Sequence, residues 1–159
     1  YHLKKGGNLD AQKLSDWYRE LTKKYPLVSI EDPFGEDDWS TWSAFAASAD
    51  KKLQIVGDDL YVTNVKRIER GIQEKATTAV LIKPNQIGSL SETIAAIQLA
   101  KNSGQKVIIS HRSGETMDDF IADLAVASGA EYIKAGAPAR GERVAKYNRL
   151  MEIEQEILG

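Results

Sequence analysis

In the segment AVLIKPNQIG, residues 79–88, a short apolar strand is predicted to end directly at a lysine and a turn. Val80, Leu81 and Ile82 form a continuous apolar run, which is typical of a strand covered on both faces of a parallel sheet. Lys83 follows where the packed interior gives way to a loop. Partial burial there favours the uncharged amine, which can accept a proton. The alternative is a surface lysine whose stem packs on the strand while its amine reaches water.

Length and composition exclude several classes of protein. The chain has 159 residues, the size of one domain, and its 21 basic residues nearly balance 23 acidic ones, so bulk charge does not attract nucleic acid. It has no cysteine, which fits a reducing compartment, and no apolar run approaches the roughly 20 residues of a membrane span. We therefore expect a cytoplasmic protein with no nucleic-acid partner and no membrane span.

Strands and helices are predicted to alternate along the rest of the chain. Apolar runs predict strands at residues 27–30, 53–56, 80–82, 106–110 and 131–133, and helical patterns fill the segments between them. This alternation is typical of a parallel sheet with right-handed crossover connections. It permits both a barrel of βα units and an open, doubly wound sheet of flavodoxin-like order.

Particular residues set the predicted ends of three helices. Thr63 is predicted to cap the third helix, and Thr116 to begin a helix that ends at Gly129. The last helix is predicted over about residues 142–158, and the residues predicted to be buried on it are Val144, Tyr147, Met151 and Leu158.

A charged side chain stands at the carboxyl end of each predicted strand. These residues are Glu31, Asp58, Lys83, His111 and Lys134, and they lie 27, 25, 28 and 23 positions apart. One βα unit of an eight-stranded barrel averages about 31 residues, and such barrels hold their active sites at the carboxyl ends of the strands. We therefore expect the five side chains to meet at one strand-end rim.

Two acids of this rim predict a metal site. Glu31 and Asp58 end consecutive strands, and parallel neighbours lie about 5 Å apart, so their carboxylates can share a hard divalent cation such as Mg²⁺. The alternative is structural, because Asp32 before a proline and Asp59 after Asp58 are also typical of turns and helix starts.

The basic residues of the rim predict proton transfer and anion binding. Lys83 and Lys134 can divide these roles, one as proton acceptor and the other as a fixed positive charge. His111, Arg112 and Ser113 offer an imidazole, a guanidinium fork and a hydroxyl in succession, which suits a phosphate group. A capped loop with a surface arginine is the alternative interpretation of this segment.

Five ordered segments carry a family resemblance. SIEDPF (29–34), GDDL (57–60), LIKPNQIGSL (81–90), SHRSGET (110–116) and YIKAGAPARGERVAKYNRL (132–150) resemble the successive signature segments of enolase, the phosphopyruvate hydratase of glycolysis. The resemblance runs through nearly the whole chain. It implies a magnesium-dependent lyase that interconverts 2-phosphoglycerate and phosphoenolpyruvate, and it implies a TIM-type barrel for the fold.

The resemblance also implies a role for each residue of the rim. Lys83 is expected to remove the proton at C2 of 2-phosphoglycerate. The residues expected to ligate the catalytic Mg²⁺ are Glu31 and Asp58, and those expected to bind the substrate are His111, Arg112, Ser113 and Lys134.

Only the later barrel units of an enolase are matched. Residues 1–159 are therefore expected to form the C-terminal portion of the catalytic barrel domain, a partial barrel of about five strands without the N-terminal domain. We expect little or no activity from this segment alone. Because enolases usually form dimers, the resemblance also implies a homodimer. The alternative function is a non-catalytic phosphate- or partner-binding module derived from an enolase barrel.

Overall fold

The computed structural model describes residues 1–3 and 7–159. In chain order its strands are β1 (His2–Leu3), β2 (Gly7–Asn8), β3 (Ser29–Glu31), β4 (Gln54–Gly57), β5 (Ala79–Ile82), β6 (Lys106–Ser110) and β7 (Tyr132–Lys134). Its helices are α1 (Ala11–Lys24), α2 (Trp39–Ser48), α3 (Val65–Gln73), α4 (Pro84–Ile87), α5 (Leu90–Asn102), α6 (Phe120–Ala127) and α7 (Gly141–Leu158). None of the helices among the described residues is both long and apolar enough to cross a bilayer.

Strands β3 to β7 form one parallel sheet in which every strand lies beside the next one in the sequence. Successive βα units of a barrel produce this order, whereas a flavodoxin-like sheet would place its second strand at an edge, before the first. The predicted partial barrel of five parallel strands is therefore confirmed, and the doubly wound alternative is wrong. Strands β1 and β2, which were not predicted, pair separately as a short antiparallel ribbon.

The sheet is strongly curved. Gln54 on β4 donates a hydrogen bond of 2.8 Å to the hydroxyl of Tyr132 on β7, although β5 and β6 lie between these strands. A side-chain contact of that kind requires the sheet to bend toward its own concave face. The curvature brings residues from distant parts of the chain to the same side of the molecule.

Both faces of the central strand β5 are buried, as its apolar run predicts. Val80 and Ile82 pack into the main core between the sheet and the helices, whereas Ala79 and Leu81 join a smaller cluster on the concave face. The alternation follows from the two-residue period of a strand. Lys83 is therefore fixed at the end of a rigid, fully packed strand.

The predicted cap of α3 is wrong by one residue. Asn64 caps this helix, and its side chain accepts hydrogen bonds from the amides of Lys66 and Arg67. Thr63 is instead fully buried with a φ of 58°, a backbone conformation that is rare for a β-branched residue. Its hydroxyl accepts a hydrogen bond of 2.9 Å from the amide of Lys83. The residue predicted as a cap thus contacts the rim.

Helix α6 begins later than predicted. It starts at Phe120, and the Thr116 hydroxyl accepts a hydrogen bond from the amide of Asp118. Local bonds of this kind compete with the helix, so residues 111–119 remain a loop.

Helix α7 has the predicted bounds within one residue but not the predicted buried face. Met151 is 55% exposed and Leu158 is 78% exposed. The buried residues are Arg143, Lys146 and Ile153. Two cations therefore face the interior where apolar side chains were predicted.

Candidate active site

The five predicted rim residues lie at one edge of the parallel sheet. Glu31 and Lys134 are the last residues of β3 and β7, and the other three directly follow their strands. Because all five strands run in the same direction, these positions share the carboxyl edge. The sheet topology thus places the five backbone positions as the sequence predicted.

An ion pair joins Asp58 to Lys83 at the centre of the rim. The Lys83 Nζ lies 2.6 Å from Asp58 Oδ2, and the two side chains are only 13% and 9% exposed. The backbone of Lys83 is also held, because its amide donates a hydrogen bond to the Thr63 hydroxyl. The amine is therefore held beside a carboxylate in a largely dry environment, where electrostatic interactions are strong.

A second ion pair connects the two outer strands of the sheet. The Lys134 Nζ donates to both carboxylate oxygens of Glu31, at 2.7 and 2.8 Å. Both side chains remain more than a third exposed, so solvent screens this pair. Glu31 and Lys134 line an open cavity of about 520 Å³ on the concave face. Asp58 and Lys83 are not among the residues that line this cavity.

Asp32 supports Asp58 in a way that the sequence did not indicate. Its two carboxylate oxygens accept hydrogen bonds from the amides of Asp58 and Asp59, at 2.9 and 2.8 Å. Burial raises the pKa of Asp32, and these two hydrogen bonds partly oppose that shift. Asp32 also has a φ of 43°, so the turn carries backbone strain at the rim.

The acidic part of the rim fits a divalent cation. Carboxylate oxygens of Asp32, Asp58 and Asp59 lie within 4.8 Å of one another. Asp58 Oδ1 is buried and, among the described residues, has no hydrogen-bond partner. A buried carboxylate oxygen without a donor is costly, and a hard cation with oxygen ligands supplies the missing partner. Glu31 is outside this group of three, and both of its carboxylate oxygens contact Lys134.

The predicted phosphate-binding residues directly follow β6. Arg112 Nη1 donates to Asn85 Oδ1 at 3.2 Å, and the Arg112 amide donates to Glu115 Oε1 at 2.8 Å. Arg112 and Asn85 line an open cavity of about 360 Å³ beside the rim. The His111 amide donates to the carbonyl of Lys134 at 2.8 Å, which links this loop to β7.

Three further residues contact the predicted site, and sequence reasoning assigned them no site role. They are Thr63 under Lys83, Asn85 beside Arg112, and Arg143 on α7, which donates to His111 Nδ1. Burial and the charge of Arg143 lower the pKa of His111. Asn85 and Arg143 both lie within the quoted family segments. Neither residue stands at the end of a predicted strand, where the sequence pattern indicates site residues.

The molecule is thus a segment of a parallel βα barrel with acids and lysines at the carboxyl ends of its strands. Residues 2–159 match the family model described as the C-terminal TIM barrel domain of enolase. Over 158 residues the chain is 54% identical to Enolase 1 of Methanospirillum hungatei JF-1, and the match covers 99% of this chain. The chain belongs to the enolase family, through its C-terminal TIM barrel domain.

The match covers only part of the relative. The chain spans 37% of the length of the Methanospirillum enolase. The family model and the 54% identity confirm the predicted family, while the roles of individual residues remain predictions.

Proposed function

We propose that this chain carries part of the catalytic centre of a magnesium-dependent enolase, a glycolytic lyase that interconverts 2-phosphoglycerate and phosphoenolpyruvate. The observation that carries the proposal is the Asp58–Lys83 pair, in which a nearly buried amine lies 2.6 Å from a carboxylate whose second oxygen has no described partner. This combination supplies a base and a cation ligand at one point.

Lys83 is the proposed base that removes the proton at C2. Its amine is held through Asp58 and its backbone through Thr63, so it is fixed before the substrate arrives. A fixed base lowers the barrier because the reacting groups need no further ordering. Proton transfer by a positioned side chain typically contributes about 10²–10⁴-fold to the rate.

Asp58 and Glu31 are the proposed ligands of Mg²⁺. The Asp58 oxygen that has no hydrogen-bond partner within residues 1–3 and 7–159 supports the first assignment, and the exposed carboxylate of Glu31 on the neighbouring strand supports the second. When bound, the cation neutralises the second negative charge that develops on the substrate carboxylate as the C2 proton leaves. Asp32 orients Asp58 by accepting hydrogen bonds from the backbone amides of Asp58 and Asp59.

Arg112 and Ser113 are the proposed ligands of the substrate phosphate, and His111 and Lys134 are proposed to line the site. The guanidinium of Arg112 lies at the edge of an open cavity. Its planar fork can bind two phosphate oxygens at once, which fixes the substrate in one orientation. Lys134 adds positive charge from the neighbouring strand.

We further propose that residues 1–159 are the C-terminal portion of the catalytic barrel domain. The 37% coverage of the relative supports this assignment. On this proposal the remaining catalytic groups come from outside the segment, and residues 1–159 alone have little activity. The cytoplasmic location and the homodimer stay predictions.

A chimeric enolase tests the proposal. Residues 1–159 replace the matching segment of the Methanospirillum enolase, and formation of phosphoenolpyruvate is followed by ultraviolet absorbance with and without Mg²⁺. We expect magnesium-dependent turnover, and we expect Lys83→Ala to lower kcat by about 10²–10⁴-fold while substrate binding persists. Lys66→Ala, on the exposed start of α3, is the matched control.

Two results would count against catalysis. A folded chimera that binds phosphate but does not turn over 2-phosphoglycerate favours the non-catalytic binding module. A Lys83→Ala chimera with full kcat and weakened substrate binding would remove Lys83 from the role of base.

A further inference from the structure

Two buried cations of α7 hold the loop 111–119 that follows β6. Arg143 is 9% exposed and Lys146 is 1% exposed. Charged side chains are rarely buried unless they are fully paired, so this helix face requires an explanation beyond packing.

Arg143 contacts three consecutive residues of the loop. Its Nη1 donates to His111 Nδ1 and, at 3.0 Å, to the carbonyl of Arg112. Its Nη2 donates to the carbonyl of Ser113 at 2.9 Å. One rigid guanidinium therefore sets the relative positions of the imidazole and of the backbone that carries the two proposed phosphate ligands.

We propose that Arg143 is a positioning residue for this loop: it holds His111 in the neutral tautomer with the proton on Nε2, and it orients Arg112 and Ser113 toward an oxyanion. The orienting role rests on the proposed function. The tautomer assignment does not, because it follows from the contact between two side chains.

The tautomer follows from the chemistry of the guanidinium. Arginine has five N–H donors and no acceptor, and it stays charged in proteins. The His111 nitrogen that faces it must therefore carry a lone pair, which leaves the ring proton on Nε2. Protonation of Nδ1 would bring two donors together. His111 thus keeps an N–H donor on the opposite side of its ring, which suits an anionic oxygen.

The electrostatic surroundings of the ring agree with a neutral imidazole. Burial and the Arg143 charge lower the pKa of His111, and one acid opposes them. The charged residues that act on the ring are Arg143, Glu115, Lys134 and Lys146.

Lys146 holds the same loop by separate contacts. Its Nζ lies 2.7 Å from Glu115 Oε2 and donates to the carbonyls of Thr116 and Glu142. Glu115 in turn accepts from the amide of Arg112. The loop therefore keeps a strong anchor when Arg143 is replaced, and a variant at Arg143 reports on the imidazole rather than on loss of the loop.

Nitrogen NMR of the histidine rings tests the proposal in residues 1–159. The chain has only two histidines, and His2→Gln assigns the His111 signals. In the unchanged protein near pH 7 we expect an unprotonated Nδ1 and a protonated Nε2. Arg143→Met should raise the pKa of His111 and give a mixture of tautomers, and Arg143→Lys should restore part of the original pattern.

The control is Arg149→Met on the same helix. Arg149 pairs with Asp123, Glu152 and Glu156, and it makes no hydrogen bond or ion pair with the described loop 111–119. We expect it to leave the His111 signals unchanged. A protonated Nδ1 in the unchanged protein would overturn the proposal without any variant. His111 signals in Arg143→Met that match those of the unchanged protein would also overturn it.

Kinetics of the chimera separate this inference from the proposed function. If the chimera turns over, Arg143→Met should lower kcat/KM by about 10-fold or more, because a small displacement of substrate-positioning groups can cost up to about 10²-fold in rate. A chimera that is inactive while His111 keeps the expected tautomer contradicts the proposed function alone. An active chimera in which Arg143→Met changes neither the tautomer nor kcat/KM contradicts this inference alone.

Discussion

The two ends of strands β5 and β6 differ in how their buried polar groups are satisfied. Where these strands begin, the Tyr61 hydroxyl lies 2.6 Å from Thr77 Oγ1, and Gln105 donates to the Thr77 carbonyl. These groups are neutral, and each has a partner. At the carboxyl end of the sheet, charged side chains meet, and Asp58 Oδ1, just after β4, has no hydrogen-bond partner among the described residues. One end thus favours stability, and the other holds the groups of the proposed active site.

Backbone strain is also unequal between the two ends. Asp32, Val62 and Thr63 have positive φ values of 43°, 45° and 58° near the carboxyl ends of strands β3 and β4, whereas among the described residues only Lys75, with a φ of 54°, is a non-glycine residue of this kind at the amino end. Such conformations cost on the order of 1–3 kcal/mol each and persist where the surrounding structure imposes them. Stability gained at one end therefore offsets strain at the other.

Truncation at the neutral end should have the largest effect on stability. Tyr61 is fully buried, and its ring packs where a side chain on Gly57 or Gly71 would collide with it. Tyr61→Ala should lower the free energy of unfolding by about 3–5 kcal/mol, as measured by urea denaturation. Tyr61→Phe should cost only about 1 kcal/mol, because it removes a hydrogen bond but keeps the ring. Equal losses would show that packing does not dominate at this end.

Magnesium should stabilise the charged end. With Mg²⁺ at 100 times its Kd, the free energy of unfolding should rise by about 2.7 kcal/mol, because the cation binds only the folded chain. Asp58→Asn should abolish this increase. Asp37→Asn, at a site 80% exposed, should preserve it and is the control. An increase that survives Asp58→Asn would place the cation elsewhere.

A smaller effect should appear on acidification. The folded pKa of His111 lies below its ordinary value of 6.5, chiefly through burial and then through the Arg143 charge. Below pH 6.5 the unfolded chain therefore binds more protons than the folded one, and stability falls as the pH decreases toward the folded pKa. His111→Gln should weaken this dependence in urea titrations between about pH 7 and 5. His2→Gln, at an exposed residue, should not, and equal slopes for the two variants would contradict the assignment.

The sequence predicted the strands and the rim because both depend on a simple pattern. A continuous apolar run such as 80–82 ends where a charged residue begins, and parallel strands bring such ends together. Helix α7 was predicted in its bounds but not in its buried face, since Arg143 and Lys146 are residues that normally remain exposed. Their burial depends on loop carbonyls about 30 residues earlier in the chain, which no helical period encodes.

The roles of Asp32 and Thr63 could not be predicted for a related reason. An acid before a proline and a threonine before a helix are each typical of local turns and caps. The structure uses them for contacts between strands, with the amides of Asp58 and Lys83. Both residues have positive φ values, and for the β-branched Thr63 this conformation is one that the residue type disfavours.

The Glu31–Lys134 pair has a consequence for the order of folding. Its two residues are 103 positions apart, whereas within the parallel sheet each strand from β3 to β6 pairs with the next strand in the sequence. Neighbouring strands can therefore assemble stepwise at modest loop-closure cost, and we expect the contact between the two outer strands to form after the strands between them have assembled. Breaking it with Glu31→Gln should accelerate unfolding while leaving the refolding rate nearly unchanged, because the transition state does not yet contain it.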